Sequence, residues 1–188
     1  MNVHIFLYLI TALFLALCLS LIMNKKWKQK KLILTANLLL PILMMIILLL
    51  RIHIGIEIIK GFVFFLILLY ASNSDIKTRE IENTIPVMIF ITGLMGINAT
   101  NIPVMICSSL LITVPILFIA SARKDGLGGG DIKIIAGITF LLGLYKGVFA
   151  VVIGLSLAIV ITLILKKKDK SFPLVPYLTV GSILAYLL

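Results

Sequence analysis

Eight apolar runs, joined by short polar connections, make up most of this 188-residue chain. A helix needs about 20 apolar residues to cross about 30 Å of hydrocarbon, where only helices and closed barrels satisfy their own backbone hydrogen bonds. The mean hydropathy of +1.25, with 13% charged residues, excludes a soluble domain. We therefore predict an all-α, polytopic membrane helical bundle of about eight transmembrane helices. The runs are residues 4–23, 32–50, 54–71, 85–97, 103–122, 132–144, 147–165 and 172–188.

Two of these runs are too short to cross a bilayer unaided. Residues 85–97 and 132–144 reach about 17 residues only if the polar residues in front of them, 82–84 and 128–131, join the span. We therefore expect both acidic loops to dip into the membrane interface.

The positive charges predict how the chain is oriented, because short cytoplasmic loops collect Lys and Arg. With the N-terminus outside, eight spans place all basic residues inside except Arg51, Lys60 and Lys146, and return the C-terminus to the outside. Asp75 and Asp131 then share the cytoplasmic face. We predict an integral protein of a prokaryotic plasma membrane whose polar chemistry faces the cytoplasm.

Charge and cysteine content argue against a nucleic-acid-binding protein and against a protein held together by disulfides or a metal. The net charge of +10 lies in loops between spans, not along one helix face, so topology and contact with anionic membrane lipid explain it without nucleic acid. Cys18 and Cys107 are isolated in apolar runs, without a Cys-x-x-Cys pair. Neither a disulfide framework nor a metal site is expected.

Two aspartates at span ends are the candidate catalytic residues. Asp131 follows Gly128, Gly129 and Gly130 at the head of an apolar run, and Asp75 follows the third run. A carboxylate at the bilayer edge is costly when desolvated, whereas a helix start would be served by Ser or Thr. The simpler alternative is a flexible glycine loop with Asp131 as an ordinary N-cap, but the second aspartate at a membrane edge argues against it.

Two neighbouring carboxylates can hydrolyse a peptide. One, ionised, draws a proton from water, while the other, protonated, polarises the scissile carbonyl; their mutual repulsion keeps them in different protonation states. Asp75 is predicted just past the C-terminal end of its helix and Asp131 at the N-terminal start of its own. Because a helix dipole favours negative charge only at the N-terminus, we predict Asp131 as the base and Asp75 as the acid.

Three stretches of the sequence resemble, in order and spacing, the signatures of type IV prepilin peptidases. They are Ser-Asp-Ile-Lys-Thr-Arg-Glu-Ile-Glu-Asn at 74–83, Gly-Gly-Gly-Asp-Ile-Lys at 128–133 and Phe-Pro-Leu-Val-Pro-Tyr-Leu-Thr-Val-Gly at 172–181. The resemblance, to membrane aspartyl proteases with a Gly-x-Gly-Asp motif, covers about the last two-thirds of the chain. It implies removal of the short basic leader of prepilins or pseudopilins, after a leader glycine, at the cytoplasmic membrane face. Asp75 and Asp131 match the catalytic pair.

The chain departs from this family at two places. Glu82 stands where the family usually has proline between isoleucine and asparagine, and residues 24–31 stand where large members insert a cytoplasmic domain with Cys-x-x-Cys pairs. The resemblance then implies a peptidase without methyltransferase activity, zinc or other cofactor. We predict a single transmembrane peptidase domain over 1–188, with N-terminal helices at 1–60 and an aspartyl peptidase core at 61–188.

Further residues are candidates for substrate binding. Gly128, Gly129 and Gly130 would let an extended substrate approach the enzyme main chain, which side chains would block. The acidic residues of the two loops would attract a basic leader or are simply solvated charges. These acidic residues are Glu80, Glu82 and Asp125. Lys133 either stabilises an ionised Asp131 or follows the positive-inside rule.

Other functions compete with this one. A small secondary transporter would also use membrane carboxylates, but near the bilayer midplane and not at span ends. A non-catalytic subunit of the same fold would not need both aspartates, and presenilin-type proteases share Gly-x-Gly-Asp but lack the third stretch. The expected partners are a prepilin-like protein and membrane lipid, with a homodimer as the alternative to a monomer.

Overall fold

The structure, a computed structural model, describes residues 2–28, 31–52, 55–122, 128–165 and 172–188, with the side chains of 2–4 and 31 left aside. These residues form seven α-helices and one short 3-10 helix, Ala99–Asn101. The α-helices are α1 Asn2–Trp27, α2 Lys31–Arg51, α3 Ile56–Thr78, α4 Thr84–Gly93, α5 Ile102–Ala122, α6 Gly129–Leu165 and α7 Val175–Leu187. The predicted all-helical class is confirmed for this part of the chain.

Five of the helices, α1, α2, α3, α5 and α6, are long and apolar enough to cross a membrane. Many of their large apolar side chains are exposed, for example Phe118 on α5 at 75% and Leu163 on α6 at 71%. Such surfaces are unfavourable in water but match hydrocarbon. The chain is therefore a helical membrane protein, while the eight spans and the outside location of both termini stay predictions.

Helix α6 is not one continuous rod. Gly143 has φ 76° and ψ −175°, outside the helical region, close to the boundary between the predicted runs 132–144 and 147–165. A Cβ on Gly147 would lie 3.2 Å from Thr139 Cα, although eight residues of continuous helix rise about 12 Å. The segments 129–142 and 144–165 therefore fold back on each other. Glycine is suited to the turn because side chains are strained at this φ.

The chain divides into two compact units, and the boundary falls within α3. The first unit comprises Met1–Tyr70 and Leu187, and the second comprises Ala71–Tyr186 and Leu188. In the first unit, α1 packs against α2, and many of the side chains that these two helices bury are small or flexible. Near the C-terminal end of α1, the Trp27 and Tyr70 rings lie 5.3 Å apart, and Lys26 donates to the Tyr70 hydroxyl at 2.8 Å.

The second unit is organised around α6. Helices α4 and α5 both pack against it, and glycines allow the closest approaches. A Cβ on Gly137 would lie 3.1 Å from Ile89 of α4, and one on Gly93 would lie 2.9 Å from Phe140. The buried aliphatic side chains of this contact include Ile85, Ile134 and Ile138, so that α4 is fixed against the first segment of α6.

Helix α7 packs against the second segment of α6 through paired glycines. A Cβ on Gly181 would collide with the carbonyl oxygen of Ala150, and one on Gly154 would lie 2.9 Å from Leu178 Cα. Small residues are the usual means by which membrane helices approach closely. A buried 2.7 Å hydrogen bond between Ser72 and Thr179 also joins α7 to the end of α3.

The close contact at Gly181 leads to a stability prediction. We expect Gly181→Ala to lower the free energy of unfolding by about 1–3 kcal/mol, because the added methyl group cannot fit without separating the helices. Unfolding in detergent, followed by circular dichroism, measures this. The control is Val180→Ala on the exposed face of the same helix, where a change within about 0.5 kcal/mol is expected. Equal stability of the two variants would contradict the close packing.

Candidate active site

The last turn of α3 carries the first candidate aspartate. Asp75 lies within α3, which continues to Thr78, so the prediction that it lies past the helix end is wrong. The helix is longer because polar side chains satisfy its last carbonyl groups: Thr78 Oγ1 donates to the Ser74 carbonyl at 2.9 Å. The Asp75 side chain is only 5% exposed. A carboxylate so deeply buried requires hydrogen-bond partners.

The N-terminus of α7 supplies a partner for Asp75. The backbone N–H of Val175 donates to Asp75 Oδ2 at 3.0 Å. Val175 is the first residue of α7, and its N-cap residue, Leu174, makes no side-chain cap hydrogen bond. The first N–H groups of a helix lack partners within the helix, so Asp75 satisfies one of them across 100 residues of sequence.

After α3 the chain reverses and forms one wall of the site. Arg79 adopts a left-handed backbone with φ 56° and closes the helix with an N–H bond to the Asp75 carbonyl. Helices often end at a residue of this conformation, although glycine is more usual there. Ser74 Oγ then donates to the Glu80 carbonyl at 3.1 Å. This turn directs residues 80–83 back beside Asp75.

The second candidate aspartate lies in the first turn of α6. Gly129 and Gly130 are already helical, and Gly128 directly precedes the helix, so two of the three glycines expected in a loop belong to α6. Asp131 is the third helical residue, not an N-cap, which excludes the simpler alternative. Its side chain is half-buried, and Oδ1 is buried without a hydrogen-bond partner among the described residues.

A pocket of about 360 Å³ brings the two aspartates together. It is lined by Asp75, Arg79, Glu80, Ile81, Asn83, Gly128, Gly129, Gly130, Asp131 and Lys133. The two carboxyl groups are close enough to interact electrostatically. Six residues named from the sequence as catalytic or substrate-binding thus share one cavity. The exposed Glu82 is not among its lining residues, and Asp125 lies outside the residues that the structure describes.

The three glycines of the motif have different surroundings. A Cβ on Gly128 would lie 3.3 Å from Asp131 Oδ2, and one on Gly130 would lie 3.0 Å from Ile81 Cβ. A Cβ on Gly129 would meet nothing within 4 Å. Only Gly129 therefore leaves open space for a ligand, whereas Gly128 makes room for the carboxylate and Gly130 for a neighbouring side chain.

Sequence reasoning missed two features of the site. It did not place the α7 N-terminus beside Asp75, although Pro173 and Pro176 indicated that a helix begins there. It also considered only Asp131 as a partner of Lys133, whereas Lys133 Nζ donates to Asn83 Oδ1 at 2.7 Å, and both residues line the pocket.

Together, the helices and the pocket define a class: a helical integral membrane protein with two carboxyl groups in one cavity. The family model of the type IV leader peptidase family matches residues 62–163, more than half of the chain, including both aspartates. The chain therefore belongs to the type IV leader peptidase family, and it is a peptidase that acts on a protein substrate. No curated protein and no solved structure matched it. The match favours a peptidase over the small secondary transporter that was considered as the alternative function.

The surroundings of the glycines predict different kinetic effects. We expect Gly128→Ala to lower kcat about tenfold with little change in KM, since the new methyl group displaces Asp131. Gly129→Ala should instead raise KM about tenfold, because its methyl group fills space that the substrate would occupy. Cleavage of a purified substrate by enzyme in vesicles separates the two constants. A kcat effect at Gly129 as large as that at Gly128 would contradict this.

Proposed function

We propose that this protein is an aspartyl endopeptidase that removes the short basic leader of type IV prepilins or pseudopilins. The observation that carries the proposal is the cavity shared by Asp75 and Asp131 in a chain of the type IV leader peptidase family. Two carboxyl groups in one pocket can activate a water molecule and polarise a peptide carbonyl. Cleavage would occur at the cytoplasmic membrane face, immediately before the apolar helix of the substrate.

The charge and the shape of the pocket both support a basic, extended substrate. Glu80 lines the pocket and would attract the basic leader, which the overall charge of +10 would otherwise repel. Open space beside Gly129 would admit an extended main chain. The proposed substrate-binding set also includes Glu82 and Asp125, which would add long-range attraction. Gly128 and Gly130 would contribute to it indirectly, by leaving room for Asp131 and for Ile81 beside the substrate.

The hydrogen bonds support a division of roles opposite to the one predicted from the sequence. The dipoles of α3 and α6 alone favour Asp131 as the base, but α7 also lies beside Asp75. In the fold, the Val175 N–H and the positive end of α7 stabilise Asp75 in its ionised form. Asp131 has one backbone hydrogen bond, from Gly128, but its buried Oδ1 has no donor among the described residues, and burial together with the nearby Asp75 charge favours its protonated form. We therefore assign Asp75 as the base and Asp131 as the acid.

A proposed reaction follows from these roles. Asp75 accepts a proton from a water molecule in the pocket as the water oxygen attacks the scissile carbonyl carbon. Asp131 donates its proton to the carbonyl oxygen, which gives a neutral tetrahedral intermediate. Asp75 then donates its newly acquired proton to the leaving nitrogen, while Asp131 takes back a proton from a hydroxyl group of the intermediate, so that the C–N bond breaks and the new carboxyl and amino termini form. The leader and the shortened pilin are released, with Asp75 again ionised and Asp131 again protonated.

The proposed function is tested by leader removal in cells. Co-expression with a tagged prepilin-like protein should give a faster-migrating product, and Asp75→Ala or Asp131→Ala should abolish the shift on a gel. The control is Glu57→Gln, an acidic residue in the first turn of α3, which should cleave like the parent. Cleavage by both aspartate variants, or by neither the parent nor the control, would refute the aspartyl peptidase.

The assignment of roles predicts unequal effects of amide substitution. Asp75→Asn should lower the single-turnover rate about a thousandfold or more, because an amide cannot accept the proton of the water molecule. Asp131→Asn should lower it only about a hundredfold, because its NH₂ group still donates a hydrogen bond to the carbonyl. Rates measured with purified enzyme and excess enzyme over substrate test this. The reverse order would restore the assignment made from the sequence.

A further inference from the structure

Residues 81–83, which lead into α4 and are called the entry segment below, touch the first turn of α6 on both sides of Asp131. Ile81 lies against Gly130, the residue before the aspartate, so closely that a Cβ there would be 3.0 Å from the Ile81 Cβ. Asn83 accepts the 2.7 Å hydrogen bond from Lys133, two residues after the aspartate. The turn that carries Asp131 is therefore held at two points by the same short segment.

The Asn83 side chain binds Lys133 instead of capping its own helix. Asn83 is the N-cap residue of α4, where an asparagine side chain normally accepts a hydrogen bond from its own helix. Here its side chain makes no cap hydrogen bond, and its carbonyl oxygen faces the Lys133 ammonium group instead. The interaction involves a charged donor, which makes it stronger than a hydrogen bond between neutral groups.

Lys133 is placed poorly to act as a counter-charge for Asp131. Residues two apart on an α-helix point to different sides, whereas neighbours on one face are three or four apart. Its one side-chain hydrogen bond described in this part of the chain runs to Asn83. The ammonium group therefore links α6 to the entry segment and does not neutralise the carboxylate.

We propose that Asn83 and Lys133 are positioning residues, which hold the first turn of α6 so that the Asp131 carboxyl group points into the pocket. This inference rests on the proposed aspartyl peptidase function. Asp131 must meet the scissile carbonyl within hydrogen-bond range, and a displacement of about 1 Å can lower a rate about a hundredfold. Loss of the Asn83–Lys133 contact leaves Ile81 as the described contact between the entry segment and this turn.

The test is a double-mutant cycle on full-length enzyme in vesicles, with a purified prepilin-like protein whose basic leader ends in glycine. Lys133→Met and Asn83→Ala should each lower kcat about ten- to hundredfold and change KM less than about twofold. The double variant should be no slower than the slower single variant, since both remove one interaction. Lys133→Arg, which keeps a charged donor, should stay within about fivefold of the parent.

Two variants serve as matched controls. Lys146→Met removes an exposed lysine from the same helix, outside the pocket, and Asn98→Ala removes an N-cap asparagine that also makes no side-chain cap hydrogen bond. Both should cleave like the parent. If the parent and the controls do not cleave, the proposed function fails. If they do and the pair variants match them, only the positioning role fails.

Other outcomes also overturn the positioning role. A rise in KM confined to Lys133→Met would make Lys133 a substrate contact. A pH–rate profile altered by Lys133→Met but not by Asn83→Ala would make it a counter-charge for Asp131. Activity lost only in proportion to unfolded protein, measured by thermal unfolding in detergent, would make the pair merely structural. Additive effects in the double variant would show that the two side chains act separately.

Discussion

The hydrogen bond from the Val175 backbone to the Asp75 carboxylate joins the parts of the second unit on which its site depends. A buried carboxylate is unfavourable in an apolar bundle, and so is a helix N-terminus without a cap. At 3.0 Å, each satisfies the other. This contact fixes the register of α7 against the end of α3, and the Ser72–Thr179 hydrogen bond repeats the connection one turn deeper. A polar interaction thus organises helices that apolar packing alone would leave free to slide.

The glycines extend this organisation through the rest of the unit. Gly143 lets α6 fold back on itself. Gly154 and Gly181 let α7 approach the second segment of α6, and Gly137 lets α4 approach the first segment of α6. Close approach compensates for the missing hydrophobic driving force between helices in lipid. Both aspartates lie in helices of this unit, Asp75 in α3 and Asp131 in α6. A rigid support of this kind suits the proposed reaction, which requires two carboxyl groups at defined positions.

The proposed roles of the two aspartates are the reverse of those that the sequence alone predicts, because residues distant in the sequence meet in the fold. Considered along the sequence, Asp131 lies at the favourable end of its own helix and Asp75 at the unfavourable end. In three dimensions Asp75 lies at the favourable end of a different helix, α7, and accepts its N–H directly. For Asp75 the hydrogen bond and the dipole of α7 act together, whereas Asp131 has one buried oxygen without a donor among the described residues.

The helical class, the membrane setting, the family and six of the residues that line the pocket could be predicted from the sequence, because they depend on composition, on apolar run length and on local motifs. The helix boundaries near the site were less accurate, since α3 extends past Asp75 and α6 begins at Gly129, where side-chain and interhelical contacts decide the last turns. Only the tertiary structure placed α7 beside Asp75, Ile81 against Gly130, and Asn83 within reach of Lys133. These contacts join residues about 50 or 100 positions apart, and no local pattern specifies which helix end will meet which carboxylate.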